Sequence, residues 1–172
     1  NVAQGAVRML AANFRVPANG YEADVLSEVR LANAGSALPL VDLAMLEVWA
    51  DGGNGTWDAG LGDDALLGAA TPSGATWQLG SLTLPVATSG RRLFTTVDVA
   101  PGATIGRTVR LVLPTPNGVV VTSGNSGPLD AGVSAGGTLT IAALPSNLAI
   151  TAAPQSGATL VPGASPQTVL EF

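Results

Sequence analysis

The side chains of this sequence that could do chemistry are concentrated in one glycine-rich loop. Their oxygens belong to Asp51, Asn54, Asp58, Asp63 and Asp64. Carboxylate and amide oxygens on a flexible loop are the ligands that Ca²⁺ prefers in proteins. The spacing differs from an EF-hand, because the alternating acidic positions and the bidentate Glu at the twelfth place are missing. The loop therefore predicts either a calcium site or a solvated hairpin loop held by Asx turns.

The same loop suggests two further kinds of chemistry. Glycoside hydrolysis needs two acids that flank a sugar, which Asp58 could provide together with Asp63 or Asp64. His, Cys and Lys are absent from the chain, so the usual supporting bases and nucleophiles are missing and we expect no enzyme and no catalytic residue. A carbohydrate ring could instead stack on the three tryptophans of the chain, Trp49, Trp57 and Trp77.

A short pattern in this loop suggests a modification site. Asn54 is followed by Gly55 and Thr56, which matches the acceptor pattern for N-glycosylation. Because the pattern lies in a loop that we expect to be exposed, Asn54 is a candidate glycosylation site.

The overall composition limits the classes of partner. Apolar residues make up 47% of the 172 residues and charged residues only 11%, against about 25% charged in an ordinary soluble domain. With 22 glycines and 12 prolines, this is typical of a β-rich chain with many turns. A net charge of −5 argues against nucleic acid as a partner. No apolar run approaches the ~20 residues of a membrane span, and no cofactor other than calcium is expected.

Apolar and polar residues alternate in short segments that are separated by Gly, Pro or Asn, which indicates half-buried strands. Recurrence every ~8–12 residues is typical of an all-β sandwich or barrel. Ala6–Asn13 would also suit a helix by composition, but the β-rich remainder favours a strand there. We predict strands within Val2–Val16, Ala23–Ala34, Leu40–Ala50, Ala65–Leu67, Thr76–Pro85, Arg92–Ala100, Thr104–Pro114, Val119–Thr122 and Thr138–Ala142.

The C-terminal part of the chain has a different composition. Residues 144–172 are rich in Pro, Ser, Ala and Gly and include a strongly apolar run with Val169, Leu170 and Phe172. We therefore predict a β-sandwich domain at 1–143, followed by a linker and a terminal strand at 144–172. That strand is either a donor strand for another subunit or the start of another copy. In the first case the donor would pair with the open edge of the next subunit, and Val7 and Met9 in the first strand could serve as donor instead.

Several stretches together resemble the repeat modules of large secreted bacterial and archaeal cell-surface proteins. In those modules a strand that ends in Asp is followed by Asn-Gly-x-x-Asp and then by Asp-x-Leu-Leu-Gly, as in Leu46–Asp58 and Asp63–Gly68 of this chain. Arg92–Val99 and Val121–Asp130 are similar to later strands of the same modules, and the resemblance covers Ala6–Ala142. It implies an immunoglobulin-like β-sandwich in an extracellular setting, while the loop after Asp51 is shorter here than in the modules.

These observations predict a non-catalytic, structural, secreted protein of the cell surface. We expect a filament, pilus-like or biofilm-matrix subunit whose copies join head to tail by strand complementation, because unlike donor and acceptor surfaces propagate into fibres. Its partners would be copies of itself, with surface glycans as further candidates. The alternative is a calcium- or carbohydrate-binding β-sandwich module of a larger secreted enzyme or adhesin.

Overall fold

A computed structural model describes residues 1–17, 23–58 and 62–144, and within these ranges every regular element is a β-strand. The all-β prediction is confirmed. The strands are β1 (Val2–Ala3), β2 (Met9–Val16), β3 (Asp24–Asn33), β4 (Leu43–Ala50), β5 (Ala65–Ala69), β6 (Thr71–Ser73), β7 (Thr76–Leu79), β8 (Leu84–Val86), β9 (Arg91–Val99), β10 (Thr108–Val109), β11 (Leu111–Leu113), β12 (Val119–Val121), β13 (Val133–Ser134) and β14 (Leu139–Ala142).

The first layer of the sandwich is a four-stranded antiparallel sheet in the order β2-β9-β4-β5. The long central strands β4 and β9 pair from Leu43 opposite Val99 to Ala50 opposite Leu93. Because side chains alternate between the faces of a strand, Leu46 and Val48 point into the core. Strand β2 forms one edge of this sheet and β5 forms the other.

The second layer is organised around β3, which has ten residues and is flanked by short strands on both sides. Strands β7 and β8 pair with one side of β3, and β11 and β12 pair with the other. Strands β6 and β13 extend the sheet outward from β7 and β11. Leu26 and Leu31 of β3 and Trp77 of β7 are at most 1% exposed and share one apolar core with the first layer. Burial of this surface is the main driving force for the fold.

A small third sheet, β1-β14-β10, lies beside one end of the sandwich. Strand β1 runs parallel to β14, with Val2 opposite Ile141, and β10 runs antiparallel to it. The side chains of Val2 and Ile141 are buried in the common core. The N-terminal residues and the last described strand therefore lie side by side.

The two ends of the sandwich differ, and they are named here by one aspartate each. The Asp42 end contains the turn before β4, the residues after β9 and the residues before β2. These segments lie together because Leu43 pairs with Val99 and Met9 pairs with Val97. At the Asp51 end lie the acidic loop (51–64) after β4, the start of β9 and the end of β2, since Val16 faces Arg91.

Asp42 anchors the turn at its own end. Its carboxylate is fully buried and accepts hydrogen bonds from the backbone N–H of Leu38 (2.7 Å), the backbone N–H of Thr104 (2.8 Å) and the Arg107 guanidinium (2.7 Å). Burial alone would raise the pKa of Asp42, but these hydrogen bonds outweigh it and lower the pKa to about 2. One side chain thus ties the turn at 38–42 to the loop that follows β9.

The structure revises the predicted strands in three places. The first strand expected within Val2–Val16 is two strands, β1 and β2, which belong to different sheets. Thr76–Pro85 was expected as one strand, but it is interrupted at Gly80 and Ser81, where Ser81 has φ 59°, and it forms β7 and β8. Thr104–Pro114 likewise contains two short strands, β10 and β11, which belong to different sheets. Strands β7 and β8 both pair antiparallel with β3, so the break between them is a local irregularity along one partner. Strands β10 and β11 instead pair with different partners, β14 and β3, which a local alternation pattern does not encode.

Some predictions concern residues outside the described ranges. Val169, Leu170 and Phe172 lie there, as does nearly all of the predicted linker and terminal strand, so the division at 143/144 stays a prediction. The immunoglobulin-like strand arrangement also stays a prediction. The described ranges hold no helix with the length and apolarity that crossing a membrane requires.

Candidate functional site

The acidic loop begins with a turn that Asp51 holds in place. Its Oδ1 accepts hydrogen bonds from the backbone N–H groups of Gly53 (2.8 Å) and Gly55 (3.1 Å), and its Oδ2 lies 3.7 Å from Nε of Arg92. Burial would raise the pKa of Asp51, but these N–H groups and the charges of Arg92 and Arg91 together hold that pKa below its usual value. Gly53 and Gly55 have φ 123° and 77°, values that favour glycine.

Asp64 closes the loop from its other side. Its Oδ1 accepts from the backbone N–H of Gly52 (3.3 Å) and its Oδ2 from the backbone N–H of Asp58 (3.0 Å). A Cβ added at Gly52 would overlap the Asp63 carboxyl group, so only glycine allows the beginning and the end of the loop to approach this closely. Asp51 and Asp64 thus use their carboxylates to satisfy backbone N–H groups.

The remaining oxygen-bearing side chains converge on Asn54. Its Nδ2 donates to Asp58 Oδ2 (2.6 Å) and to Asp63 Oδ1 (3.2 Å), while its Oδ1 accepts from the backbone N–H of Thr56 (2.7 Å). The last contact is an Asx turn, as the solvated-hairpin interpretation predicts. Asn54 is exposed, so the predicted glycosylation site is accessible, although glycosylation itself stays a prediction.

The structure brings all five predicted calcium ligands into one loop but uses most of them for internal hydrogen bonds. Among residues 1–17, 23–58 and 62–144, no group of three or more acidic side chains is arranged to hold a metal ion. Only Asp58 and Asp63 point their carboxylates at a common position, which the Asn54 amide occupies. Calcium binding stays a prediction. The test is to measure the melting temperature with and without calcium. It should rise when calcium is added, and it should rise less in the Asp63→Asn variant.

Trp57 fixes the acidic loop to the outer face of the four-stranded sheet. Its ring lies edge-on to Trp49, with centroids 5.0 Å apart, and 5.9 Å from Phe94. As a result Trp49 and Phe94 are 5% and 1% exposed although they face away from the main core. The suggested carbohydrate platform is wrong in this respect, because Trp77 lies in the core and Trp49 lies beneath Trp57. Sequence reasoning recognised the tryptophans but not this packing.

An apolar recess in the described part of the chain forms a groove between the two layers, here called the β2 groove. It has a volume of about 450 Å³. Strand β2 lines one wall with Phe14 and Val16, and the flank of the β3 sheet lines the other. That flank contributes Leu113, Val119, Val121 and Val133. No pattern in the sequence predicted the groove, because it depends on which strands form the sheet edges.

Some backbone groups of β2 point away from β9 at this groove. The N–H of Asn13 donates to the carbonyl of Ala135 (2.6 Å), so it points away from β9. Backbone groups alternate in direction along an antiparallel strand, so the N–H and carbonyl of Arg15 also point away from β9. Gly136 packs directly on the Ala11 carbonyl and closes the groove on that side. Among the described residues, nothing closes the groove towards the Asp51 end.

Asp24 lines the open end of the groove and holds the loop after β12. Its carboxylate accepts from the Ser123 hydroxyl, from the Thr122 hydroxyl (3.1 Å) and from the backbone N–H groups of Val25 (2.8 Å) and Ser123 (3.2 Å). The Ser123 hydroxyl contributes most to lowering the pKa of Asp24, and the net effect of all contacts is a lowered pKa despite burial.

Acidification is expected to destabilise the fold between about pH 4 and about pH 2. Asp24, Asp42 and Asp51 all have pKa values below the ordinary 3.8, and Asp42 lies at about 2. A carboxylate with a lowered folded-state pKa adds stability above its unfolded-state pKa, and this stability is lost as the pH falls through the folded-state value. Urea unfolding at constant ionic strength through this range measures the effect, and a flat profile would contradict it.

The predicted interface residues of the first strand lie at the Asp42 end. Val7 precedes β2 and is 67% exposed, while Met9 is the first residue of β2 and faces Val97 of β9. Because β2 is paired with β9 from Met9 to Val16, it is an integral edge strand of its own sheet. Its geometry suits an acceptor edge better than a donor strand.

Comparison with known proteins adds no assignment. No protein-family model matches the sequence, and no curated protein matches it. The resemblance to cell-surface repeat modules therefore stays a prediction.

Proposed function

We propose that this chain is a non-catalytic structural subunit of an extracellular surface layer or filament, whose copies join head to tail by strand complementation. A strand from residues 167–172 of one copy occupies the β2 groove of the next copy. The proposal rests above all on one observation, the open apolar groove beside an edge strand. The extracellular setting rests on the resemblance of the strands and the acidic loop to secreted repeat modules.

The groove has the chemistry that a short apolar strand requires. Its floor consists of core side chains such as Phe14 and Val121, while Val133 at its rim is 48% exposed. It extends along β2 from Asn13 to Val16, which is on the order of 13 Å of extended chain. A strand of four or five residues would fill it, cover these side chains and bond to the backbone of Arg15.

Residues 168–172 have the matching pattern. Side chains two apart share a face of a strand, so Leu170 and Phe172 would enter the groove together, whereas Val169 and Glu171 would face outward. The remainder of 144–167 is rich in Pro, Ser, Ala and Gly, a composition typical of a connecting segment. The last described residue, Leu144, follows β14. Strand β14 runs parallel to β1, which leads into the loops of the Asp42 end, so β14 ends there too. The segment therefore starts at the end opposite to the opening of the groove.

The organisation of the acidic loop supports a structural role. Asp51 and Asp64 accept backbone hydrogen bonds, and Trp57 is committed to packing on Trp49 and Phe94. These side chains stabilise the loop on the sheet. They thereby complete the Asp51 end, towards which the groove opens.

Deletion of residues 167–172 is expected to abolish assembly. The full chain should form regular fibres by electron microscopy under native conditions, while the truncated chain should sediment as a monomer slightly lighter than the 17.0 kDa full chain. Loss of the donor strand removes both its backbone hydrogen bonds and the apolar side chains that enter the groove. Fibres that form equally well without residues 167–172 would refute the proposed mode of assembly.

A matched pair of variants separates side-chain recognition from tail length. Leu170→Asn combined with Phe172→Asn places polar groups in the groove and should prevent assembly. Val169→Asn changes the opposite face of the same strand and should assemble as the unmodified chain does. Equal assembly of both variants would show that no apolar face of this strand enters a groove.

A further inference from the structure

The exposed apolar side chains of the described part of the chain are concentrated at the Asp42 end. Eleven large apolar residues are exposed in the described ranges. Residues 5 and 6 contact 99 and 100, residue 4 contacts 142, and Asp42 contacts 100 and 104. These contacts place six exposed apolar residues in the turns and loops of this end, beside Met9 at the start of β2. The six, here called the apolar cap, are Val7, Leu38, Leu40, Val41, Ile105 and Leu144.

The turn that displays part of this cap is held in an unfavourable backbone conformation. Leu40 is 67% exposed and has φ 60°, a left-handed conformation that glycine and asparagine adopt readily and leucine rarely does. The turn is fixed by hydrogen bonds from the N–H of Leu40 to the carbonyl of Leu43 (2.8 Å), from the N–H of Asp42 to the carbonyl of Leu38 (2.9 Å) and from the N–H of Leu38 to the Asp42 carboxylate (2.7 Å). These three hydrogen bonds therefore determine the backbone conformation of the turn.

The fold itself does not account for leucine at position 40. A glycine or asparagine would relieve the backbone strain, and a polar side chain would interact better with water at this exposed position. A residue that violates a local preference without a gain in packing often marks a functional surface. Clustered exposed apolar side chains likewise mark interaction sites, because a contact with a partner removes their apolar surface from water.

We infer that the apolar cap is a second contact surface, which docks against the Asp51 end of the next copy of this chain. The inference rests on the proposed function: a tail that starts at Leu144 in the cap and ends in the groove of the next copy brings the two unlike ends together. The receiving end is also apolar near the groove, since Val133 lines it and is 48% exposed, and Leu129 follows the groove residue Pro128 and is 70% exposed. Because the two surfaces differ, the contact continues from copy to copy.

In this arrangement the two contacts have different roles. The tail connects neighbouring copies, and the cap fixes the angle and distance between them. Tails alone would connect neighbouring copies without fixing the angle between them, because a linker limits the distance between two domains but not their orientation. With the cap docked, the copies form a stiff filament.

Leu40→Asn tests the cap without damaging the fold. Asparagine tolerates φ 60° better than leucine, so the variant should unfold at the same or a higher urea concentration than the unmodified chain, measured at dilutions below assembly. Its critical concentration for assembly, measured by sedimentation of the full chain, should rise about tenfold, since burial of a leucine contributes roughly a decade in the binding constant. Its filaments should lose their straightness in electron micrographs.

The control is Leu40→Met, which keeps an apolar side chain of similar volume at the same exposed position. It should assemble as the unmodified chain does. A critical concentration of Leu40→Asn within twofold of the unmodified chain, with straight filaments, overturns the inference. If deletion of 167–172 still prevents assembly in that case, the proposed function stands and only the cap is refuted.

A lipid surface is the other surface that could cover an apolar cap, and the same variants detect it. The cap would contact a membrane, and not a second copy, if three results came together. The unmodified chain would co-sediment with neutral lipid vesicles, Leu40→Asn would not, and the variant would assemble as the unmodified chain does. An unmodified chain that stays monomeric at all concentrations would refute the proposed function and the cap together.

Discussion

Replacing Asp42 by asparagine is expected to lower the free energy of unfolding at pH 7 by about 3–4 kcal/mol. The carboxylate is fully buried and accepts from two backbone N–H groups and from Arg107. An asparagine offers one acceptor oxygen and places an NH₂ group against N–H donors, so at least one buried donor loses its partner. Urea unfolding, followed by the fluorescence of the buried tryptophans, measures the change.

Arg107→Gln is the informative control for this prediction. The Arg107 side chain is 32% exposed, and its removal leaves the backbone N–H groups of Leu38 and Thr104 bonded to Asp42. We expect a smaller loss, about 1 kcal/mol, because partly exposed ion pairs contribute little. Equal losses in the two variants would mean that the ion pair, and not the acceptance of backbone N–H groups, stabilises this end of the sandwich.

A mixture of two defective chains is expected to form dimers that do not grow. The chain without residues 167–172 keeps its groove but lacks a donor strand, and Val119→Arg keeps its donor strand but places a charge in the apolar groove. Each should be monomeric alone. Mixed in equal amounts, they should form a complex of about twice the 17.0 kDa subunit mass, because a single compatible interface remains.

The control for the blocked groove is Val112→Arg. Val112 lies between the buried residues Leu111 and Leu113 of β11, so its side chain faces the opposite side of the same sheet. This variant should form fibres. Size-exclusion chromatography with light scattering distinguishes the outcomes. A mixture that remains monomeric, or one that forms long fibres, would contradict head-to-tail strand complementation.

Local alternation was sufficient to find the longest strands. Ala23–Ala34, Leu40–Ala50 and Arg92–Ala100 correspond to β3, β4 and β9 to within three residues at each end. These strands lie in the middle of their sheets and, apart from Ala44, are half-buried or buried along their length, so the apolar pattern is strong. The all-β class follows from the same signal.

The short strands and the groove could not be predicted in the same way. Strands β6 and β13 have three and two residues and are exposed, so they carry no apolar pattern. Their pairing is set by contacts between distant parts of the chain, as between β11 and β13. The β2 groove depends on the order of strands within each sheet, which periodicity does not encode.

The acidic loop was predicted more completely than its role. Glycine and aspartate content indicated a tight loop, and the bonds from Gly53, Gly55 and Thr56 to Asp51 and Asn54 are those of Asx turns. The packing of Trp57 was not predicted, although a tryptophan within a polar loop is a signal that the loop folds back onto an apolar surface.

The parallel pairing of β1 with β14 has a mechanical consequence. If copies are linked through the tail, tension on a filament pulls β14 along its own axis from its C-terminal end. The strand has neighbours on both sides, β1 and β10, and Gln4, Arg107 and Gly106 each form a backbone hydrogen bond to it. A lengthwise pull strains these bonds simultaneously in shear, whereas a sideways pull would break them one after another. The small third sheet therefore lies where a stretched filament would need its strongest attachment.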